Sequence, residues 1–416
     1  MGNPYFDRQL RSIIAILERD YAGLARSESP ADFRYYIQAA GMAWKQGKLD
    51  QLLFLRYVSQ MLATTGDRSL RLAVTADDYR PWRAGFDVRR VGDALYVTAA
   101  PEDARLRPGD RITELNGRSP GEHRARFQKN FLYGDTPERE MWGNVLKMAE
   151  DITVAHPDGG VERLPVLRLE GPRPAEPTRL LLPAPGAVQL VVGSLGSGEA
   201  LERLVAGERA ALDSAELLII DLRRATGDDP AALLPLIPYI LSEAKTMNEA
   251  DGPQAFRTLY TRENCLRRLA QLEPYRDDPE AAGLIREIED RYGAGWVAET
   301  FTLWDDLPQP ISPRGRRVTL LTDTWTEGAP EAFALLAQKE GRAGSIGRAT
   351  MGSLDYSTLI RVRVSDTAAL TYPMSISEEA AQGRGFQGRG VVPHRVIPFT
   401  PEECREDILL KTALTQ

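Results

Sequence analysis

Between residues 7 and 62 apolar side chains recur at helical spacing: Leu10, Ile13, Ile14, Ile16 and Leu17, then Leu52, Leu53, Leu55, Val58, Met61 and Leu62. Punctuated by Pro30 and Gly47, they predict an N-terminal cap of helices. Alternation at Leu72 and Val74 then predicts a strand, and residues 79–169 read as several short strands with one helix. The proline-rich stretch 171–186, GPRPAEPTRLLLPAPG, reads as a linker. Beyond it, VQLVVGSLGS is a buried strand, 199–212 is a helical run, and Leu217 to Ile220 is a continuous apolar strand followed by a loop and another helix. Such strand-helix-strand crossovers build parallel sheets. Residues 242–305 read as mainly helical, with Trp296 and Trp304 as packing residues. A last apolar strand (Val318, Leu320, Leu321) breaks at a small, polar turn and becomes a helix carrying Phe333, Leu335 and Leu336. The pattern is multi-domain α/β, divided as 1–76 helical, 77–170 β-rich, 171–186 linker and 187–416 α/β with a helical insertion at 242–305.

A chain of 416 residues suits roughly two to three domains. The formal charge of −7 and pI near 5.4 give no basic field for nucleic acid, which is not expected as a partner. Cys265 and Cys404 stand in no metal-ligand spacing and read as ordinary thiols, so neither a metal nor a cofactor is expected. Charge at Asp7 and Arg8 precedes any apolar run, no stretch has the length of a membrane span, and Phe6 occupies the position where myristoylation of Gly2 needs Ser or Thr. A cytoplasmic protein is the expectation, with an exported form left open. His123 reads as a solvated helix residue and His156 as a hairpin residue.

The chemistry is concentrated in short motifs. Residues 326–331, Thr-Glu-Gly-Ala-Pro-Glu, sit in a strand-turn-helix layout and resemble the Thr-x-Ser-Ala-x-Glu active-site segment of the tail-specific, C-terminal processing serine peptidases. Gly328 stands where that family has its nucleophilic serine. Thr65-Gly66-Asp67-Arg68-Ser69 resembles the Gly-Asp-Gly-His-Thr junction of the branch containing the tricorn core and interphotoreceptor retinoid-binding protein. Ser69 replaces the histidine base there, and a serine hydroxyl cannot accept a proton near neutral pH. Ile220-Asp221-Leu222-Arg223 and Gly227 match a segment whose backbone amides form part of the family's oxyanion hole, with Ala225 for asparagine and Asp228 for the second glycine. Gly227, Asp228 and Ala329 are therefore the oxyanion-like positions. Asp228 opposes the charge that acyl transfer develops, and with Asp229 it also reads as a helix N-cap ahead of Pro230. Ser353 follows Gly352 where dyad-using members carry lysine, and Gln387 stands where the tricorn branch has glutamate.

Residues 83–117 resemble a PDZ domain, with Arg83, Ala84, Gly85 and Phe86 at the carboxylate-binding loop. The resemblance implies an N-terminal helical cap, a PDZ-like module and a crotonase-like, tail-specific peptidase domain, and it implies capture of a peptide or protein C-terminus as an added strand. With Ser69, Gly328, Ser353 and Gln387 all departing from the pattern, the expectation is a pseudopeptidase that binds peptide without cutting it. The alternative is a serine peptidase or repurposed peptide-processing enzyme. It would have lost its nucleophile at Gly328 by engineering, or would use a rewired site of Thr326 or Ser353 with His394.

Overall fold

The computed structural model describes residues 4–26, 34–75, 82–127, 136–171, 173–313 and 315–416; Gly2, Pro30 and Tyr79 lie outside them. The chain divides into two compact units, one of Met1–Tyr79, Pro253–Phe301 and Ser353–Gln387, the other of Arg80–Gly252, Thr302–Gly352 and Gly388–Gln416.

The first unit begins with helices Pro4–Arg19, Arg34–Lys45 and Gln51–Ala63. Asp50 caps the last of these by accepting from the Leu53 amide at 2.7 Å. Ile13, Leu17, Phe54, Met61 and Leu62 pack with Ile360, Leu370 and Tyr372, so the helices cover one face of a five-stranded sheet. At its centre Ala368–Ser377 pairs antiparallel with Arg71–Val74 and Gln254–Tyr260 along one edge and with Tyr356–Ser365 along the other. Helices Arg262–Leu272 and Pro279–Asp290 join strands Gln254–Tyr260 and Gly295–Phe301. Residues 242–305 are thus less helical than the sequence suggests: in Gly295–Phe301 every second side chain is exposed, a period of two that the flanking helical charge patterns mask. Trp304 is buried, whereas Trp296 is 43% exposed.

The second unit holds a six-stranded sheet in which Ala187–Val191, Leu217–Asp221, Arg317–Thr322, Ala343–Gly347 and Arg395–Val396 run parallel and Arg179–Ala184 closes the edge antiparallel. Leu217–Asp221 is buried along its whole length, as expected of a strand covered on both faces. Leu218, Ile220, Leu320, Phe333 and Leu336 lie in one core, and Ile219, Leu321, Ile346 and Leu409 in another. A separate five-stranded antiparallel sheet, from Asp87–Val91 to Val161–Pro165, has its own core around Leu95, Val97, Ile112, Trp142 and Ile152. His123 is buried there with Nε2 2.9 Å from the Leu115 carbonyl, correcting its reading as a solvated residue. The basic run around it hid the fact that its own helix turns it inward. His156 does sit at a hairpin, with Nδ1 2.9 Å from Asp110 and Nε2 2.9 Å from Glu162. Hydrogen bonds to these two carboxylates favour its charged form and raise its pKa.

Among the described residues no helix is long and apolar enough to cross a membrane.

Candidate functional site

Strand Arg317–Thr322 ends beside the C-terminal ends of its two parallel neighbours, the edge where open α/β sheets place their ligand crevices. Its next residues form a turn that returns the chain at Gly328, from which helix Ala329–Glu340 departs. Gly328 has φ +73° and ψ −132°, a conformation that side chains adopt only at a cost. Space is also lacking: a Cβ at Gly328 would lie 2.3 Å from the carbonyl oxygen of Gly227 and 3.1 Å from Asp228 Oδ1.

That Gly227 carbonyl is held in place. The Ala329 amide donates to it at 2.7 Å, and Gly227 itself takes φ +146°, which a larger residue could not follow because its Cβ would meet the Leu195 side chain at 2.9 Å. Gly227, Asp228, Gly328 and Ala329 are therefore brought together as the sequence anticipated, but a carbonyl oxygen occupies the space in front of the Ala329 amide. Asp229 caps the following turn, accepting from Ala231 at 3.0 Å.

The turn before Gly328 is fixed by buried polar contacts. Thr326 is fully buried; its hydroxyl donates to the Leu222 carbonyl at 2.7 Å and accepts from the Asp323 amide at 3.1 Å. Glu331, also fully buried, accepts from the Gly352 amide at 2.6 Å and from the Thr350 hydroxyl. Asp323 pairs with Arg89 at 2.7 Å and Arg348 at 3.2 Å. Burial opposes ionisation of Asp323, yet the two guanidinium groups outweigh it and hold the carboxyl far below the usual carboxylate range. Both guanidinium groups also lie 5.6 Å from the Phe399 ring centroid, and Arg348 reaches Glu403. No local pattern in the sequence marks this cluster, whose members come from four distant segments.

Arg89 belongs to strand Asp87–Val91, the end strand of the separate five-stranded sheet. Two further contacts join that module to the turn region: Arg139 donates to the carbonyls of Met351 at 3.0 Å and Arg389 at 2.7 Å, and the Thr324 hydroxyl donates to the Glu138 carbonyl at 3.1 Å. Of the expected carboxylate-binding loop, Arg83 and Ala84 instead lie in strand Trp82–Ala84, paired with Arg168–Glu170; Ala84 and Phe86 are buried and Gly85 is approached closely, its Cβ position being 3.2 Å from the Glu102 backbone. Arg83 is engaged by both carboxylate oxygens of Glu102, one at 2.9 Å.

Ser69, Ser353 and Gln387 fall in the first unit. Ser69 sits in a turn with its amide donating to Asp67 Oδ1 at 2.7 Å. Burial raises the Asp67 carboxyl to about 6, against opposing hydrogen bonds from Tyr21 and Ser69. Gln387 uses both ends of its amide: Nε2 donates to the Thr65 carbonyl at 2.8 Å and Oε1 accepts from the Tyr356 hydroxyl at 3.1 Å. His394, in the second unit, pairs through Nδ1 with Ser345 Oγ at 2.8 Å, a residue the sequence did not suggest. Among the described residues no group of three or more His, Cys, Asp or Glu side chains could hold a metal ion.

Residues 196–397 match peptidase family S41. Among solved structures, mature CPAF complexed with lactacystin is similar at 13% identity and TM-score 0.65, covering 99% of this chain and 97% of that one. A second structure of mature CPAF matches at 13% identity and TM-score 0.58, over 98% of this chain and 96% of that one. At such identities the likeness speaks for the fold alone, and it extends over nearly the whole chain. Residues 196–397, which carry the strand, turn and helix around Gly328, are thus the part of the chain that matches peptidase family S41, the tail-specific, C-terminal processing peptidases.

Proposed function

We propose that this protein is a peptidase-fold scaffold that binds a peptide or protein C-terminus and does not hydrolyse it. The observation carrying the proposal is the Gly227 carbonyl. It lies 2.3 Å from where a side chain at 328 would begin, and it takes the Ala329 amide at 2.7 Å. Acyl transfer needs a nucleophile at the turn and donors aimed at the developing oxyanion. Here the nucleophile position is glycine and the donor is spent on the chain's own carbonyl. The base positions tell the same way, since Ser69 and Ser353 have hydroxyls where the family has imidazole or ammonium.

A rewired hydrolase is less well supported. Thr326 would have to leave the Leu222 carbonyl and the interior before attacking a substrate, and His394 is paired with Ser345. Binding rests on the segment Arg83, Ala84, Gly85, Phe86, whose turn follows strand Trp82–Ala84, and on strand Asp87–Val91, which pairs on one side only among the described residues. Backbone pairing along that strand would supply affinity, and the loop amides would take the terminal carboxylate. The Glu102 contact already uses the charge of Arg83, so the amides would carry that capture.

The test is a titration of the full chain with one unstructured peptide, made with a free and with an amidated C-terminus, followed by mass spectrometry of the mixture. Tighter binding of the free acid with the peptide recovered intact is expected. Cleavage products, or equal binding of the two forms, would overturn the proposal.

A further inference from the structure

The first unit carries a second surface with its own chemistry. In the sheet of Arg71–Val74, Ala368–Ser377 and Tyr356–Ser365, Arg71 is paired with Thr371 and Thr371 with Arg361, so the three form one row across the strands. In the next row on the same face, Ala73, Ala369 and Arg363 are aligned. Strands lie about 4.8 Å apart, which sets Arg71 and Arg361 about 10 Å from each other. Their neighbours Leu72, Val362 and Leu370 point to the opposite face, into the core under the N-terminal helices. Arg71, Arg361 and Arg363 are exposed.

None of the three is neutralised. Among the described residues Arg71 and Arg361 have no ion pair, and Arg363 donates only to the carbonyls of Ser365 at 3.2 Å and Asp366 at 2.9 Å. Exposed arginines elsewhere in the chain include some that stand beside a carboxylate, as Arg257 does with Glu378. Here three stand together without one.

Position within the sheet adds backbone chemistry. Among the described residues Tyr356–Ser365 pairs only with Ala368–Ser377, so around Val362 the outer edge of this strand presents N–H and C=O groups to which the sheet gives no partner. A second copy of the same strand is a poor occupant. Antiparallel pairing of two copies about Val362 would set Arg361 against Arg363, and like charges directly opposite destabilise a ladder. We infer that this edge takes an extended acidic protein segment as an added strand. Carboxylates at alternate positions would face Arg361 and Arg363, and the apolar residue between them would lie over Val362. The arginines would act as selectors, the ladder supplying sequence-independent affinity.

The experiment is fluorescence anisotropy of a labelled peptide alternating glutamate with valine, amidated at its C-terminus so that carboxylate capture by the PDZ-like loop plays no part. The full chain is the titrant. Saturable binding is expected, weakened at least about tenfold by the double change Arg361→Glu and Arg363→Glu and by raising salt, and kept within about threefold by Arg361→Lys with Arg363→Lys. Circular dichroism of each variant checks that these exposed changes leave the fold intact. The inference is overturned by absence of saturable binding, by equal binding of the charge-reversed variant, or by equal binding of a peptide with its glutamates in one block. A single-stranded oligonucleotide that displaces the peptide more tightly than the peptide itself binds would overturn the assignment to a protein partner. Because the ligand has no free C-terminus, failure here leaves the carboxylate-capture reading to stand or fall on its own titration.

Discussion

The amide of Ala329 donates to the carbonyl oxygen of Gly227 at 2.7 Å, across the space into which a side chain at Gly328 would project. It joins the residue after Gly328 to the loop after strand Leu217–Asp221, and both ends depend on glycine conformations. Gly227 and Gly328 hold φ +146° and +73°.

Substituting Gly328→Ser is therefore expected to destabilise the protein and not to create a peptidase. The positive φ alone costs about 1–2 kcal/mol for a residue with a side chain. Displacing the Gly227 carbonyl adds to that. Urea titration of the variant should show a lower midpoint at unchanged slope, and peptide hydrolysis should stay at background. Full activity from this one change would show that a base is present after all.

Asp323 is the second point of leverage. Asp323→Asn leaves Arg89 buried without its carboxylate and Arg348 with Glu403 alone, a loss of about 3–5 kcal/mol for a broken buried pair. Arg89→Ala removes the same link from the other side and should also loosen the sheet that begins with strand Asp87–Val91, measurable as faster hydrogen exchange in residues 87–91 and 323–327. The folded-state pKa of Asp323 is depressed, so its contribution is present above the ordinary carboxylate range and is lost only as pH falls through the lower folded value.

Asp67 gives the opposite sign. Its folded pKa is raised from 3.8 to about 6, so between those values the unfolded chain is ionised while the folded one keeps its proton. Stability from this group is present below pH 3.8 and is lost as pH rises through about 6. The change is on the order of 2–3 kcal/mol. Comparing urea midpoints across that window, Asp67→Asn should remove this part of the slope. An unchanged slope would mean that another group titrates there.

Gln387 suits its surroundings better than a glutamate would. Its Nε2 donates to the Thr65 carbonyl, and a carboxylate there would set two acceptors facing each other. Gln387→Glu should cost about 1–3 kcal/mol and restore no hydrolysis. A stabilised, hydrolytic variant would contradict this.

The sequence already contained the framework of the site. Val318, Leu320 and Leu321 form a strand buried on both faces, and the small residues before Phe333 mark the turn, because local periodicity and turn chemistry decide both. The strand-loop pair of Ile220 and Gly227 was legible for the same reason. What escaped was non-local. Arg89 and Asp323 are 234 positions apart, and an Arg-Arg-Val strand looks like a solvated edge until the fold sets it against a buried carboxylate. The orientation of the Gly227 carbonyl is likewise a property of one peptide plane, which no residue pattern encodes. Strands Gln254–Tyr260 and Gly295–Phe301 were obscured by the two charged helices between them.

The most direct test of the central claim is intact-mass spectrometry of the unmodified protein after incubation with a fluorophosphonate probe, which reacts with activated hydroxyls. With the Thr326 hydroxyl buried against Leu222 and the Ala329 amide bound to Gly227, the mass should be unchanged. An adduct mapping to Thr326, Ser353 or another hydroxyl of residues 196–397 would show an activated nucleophile and contradict the account.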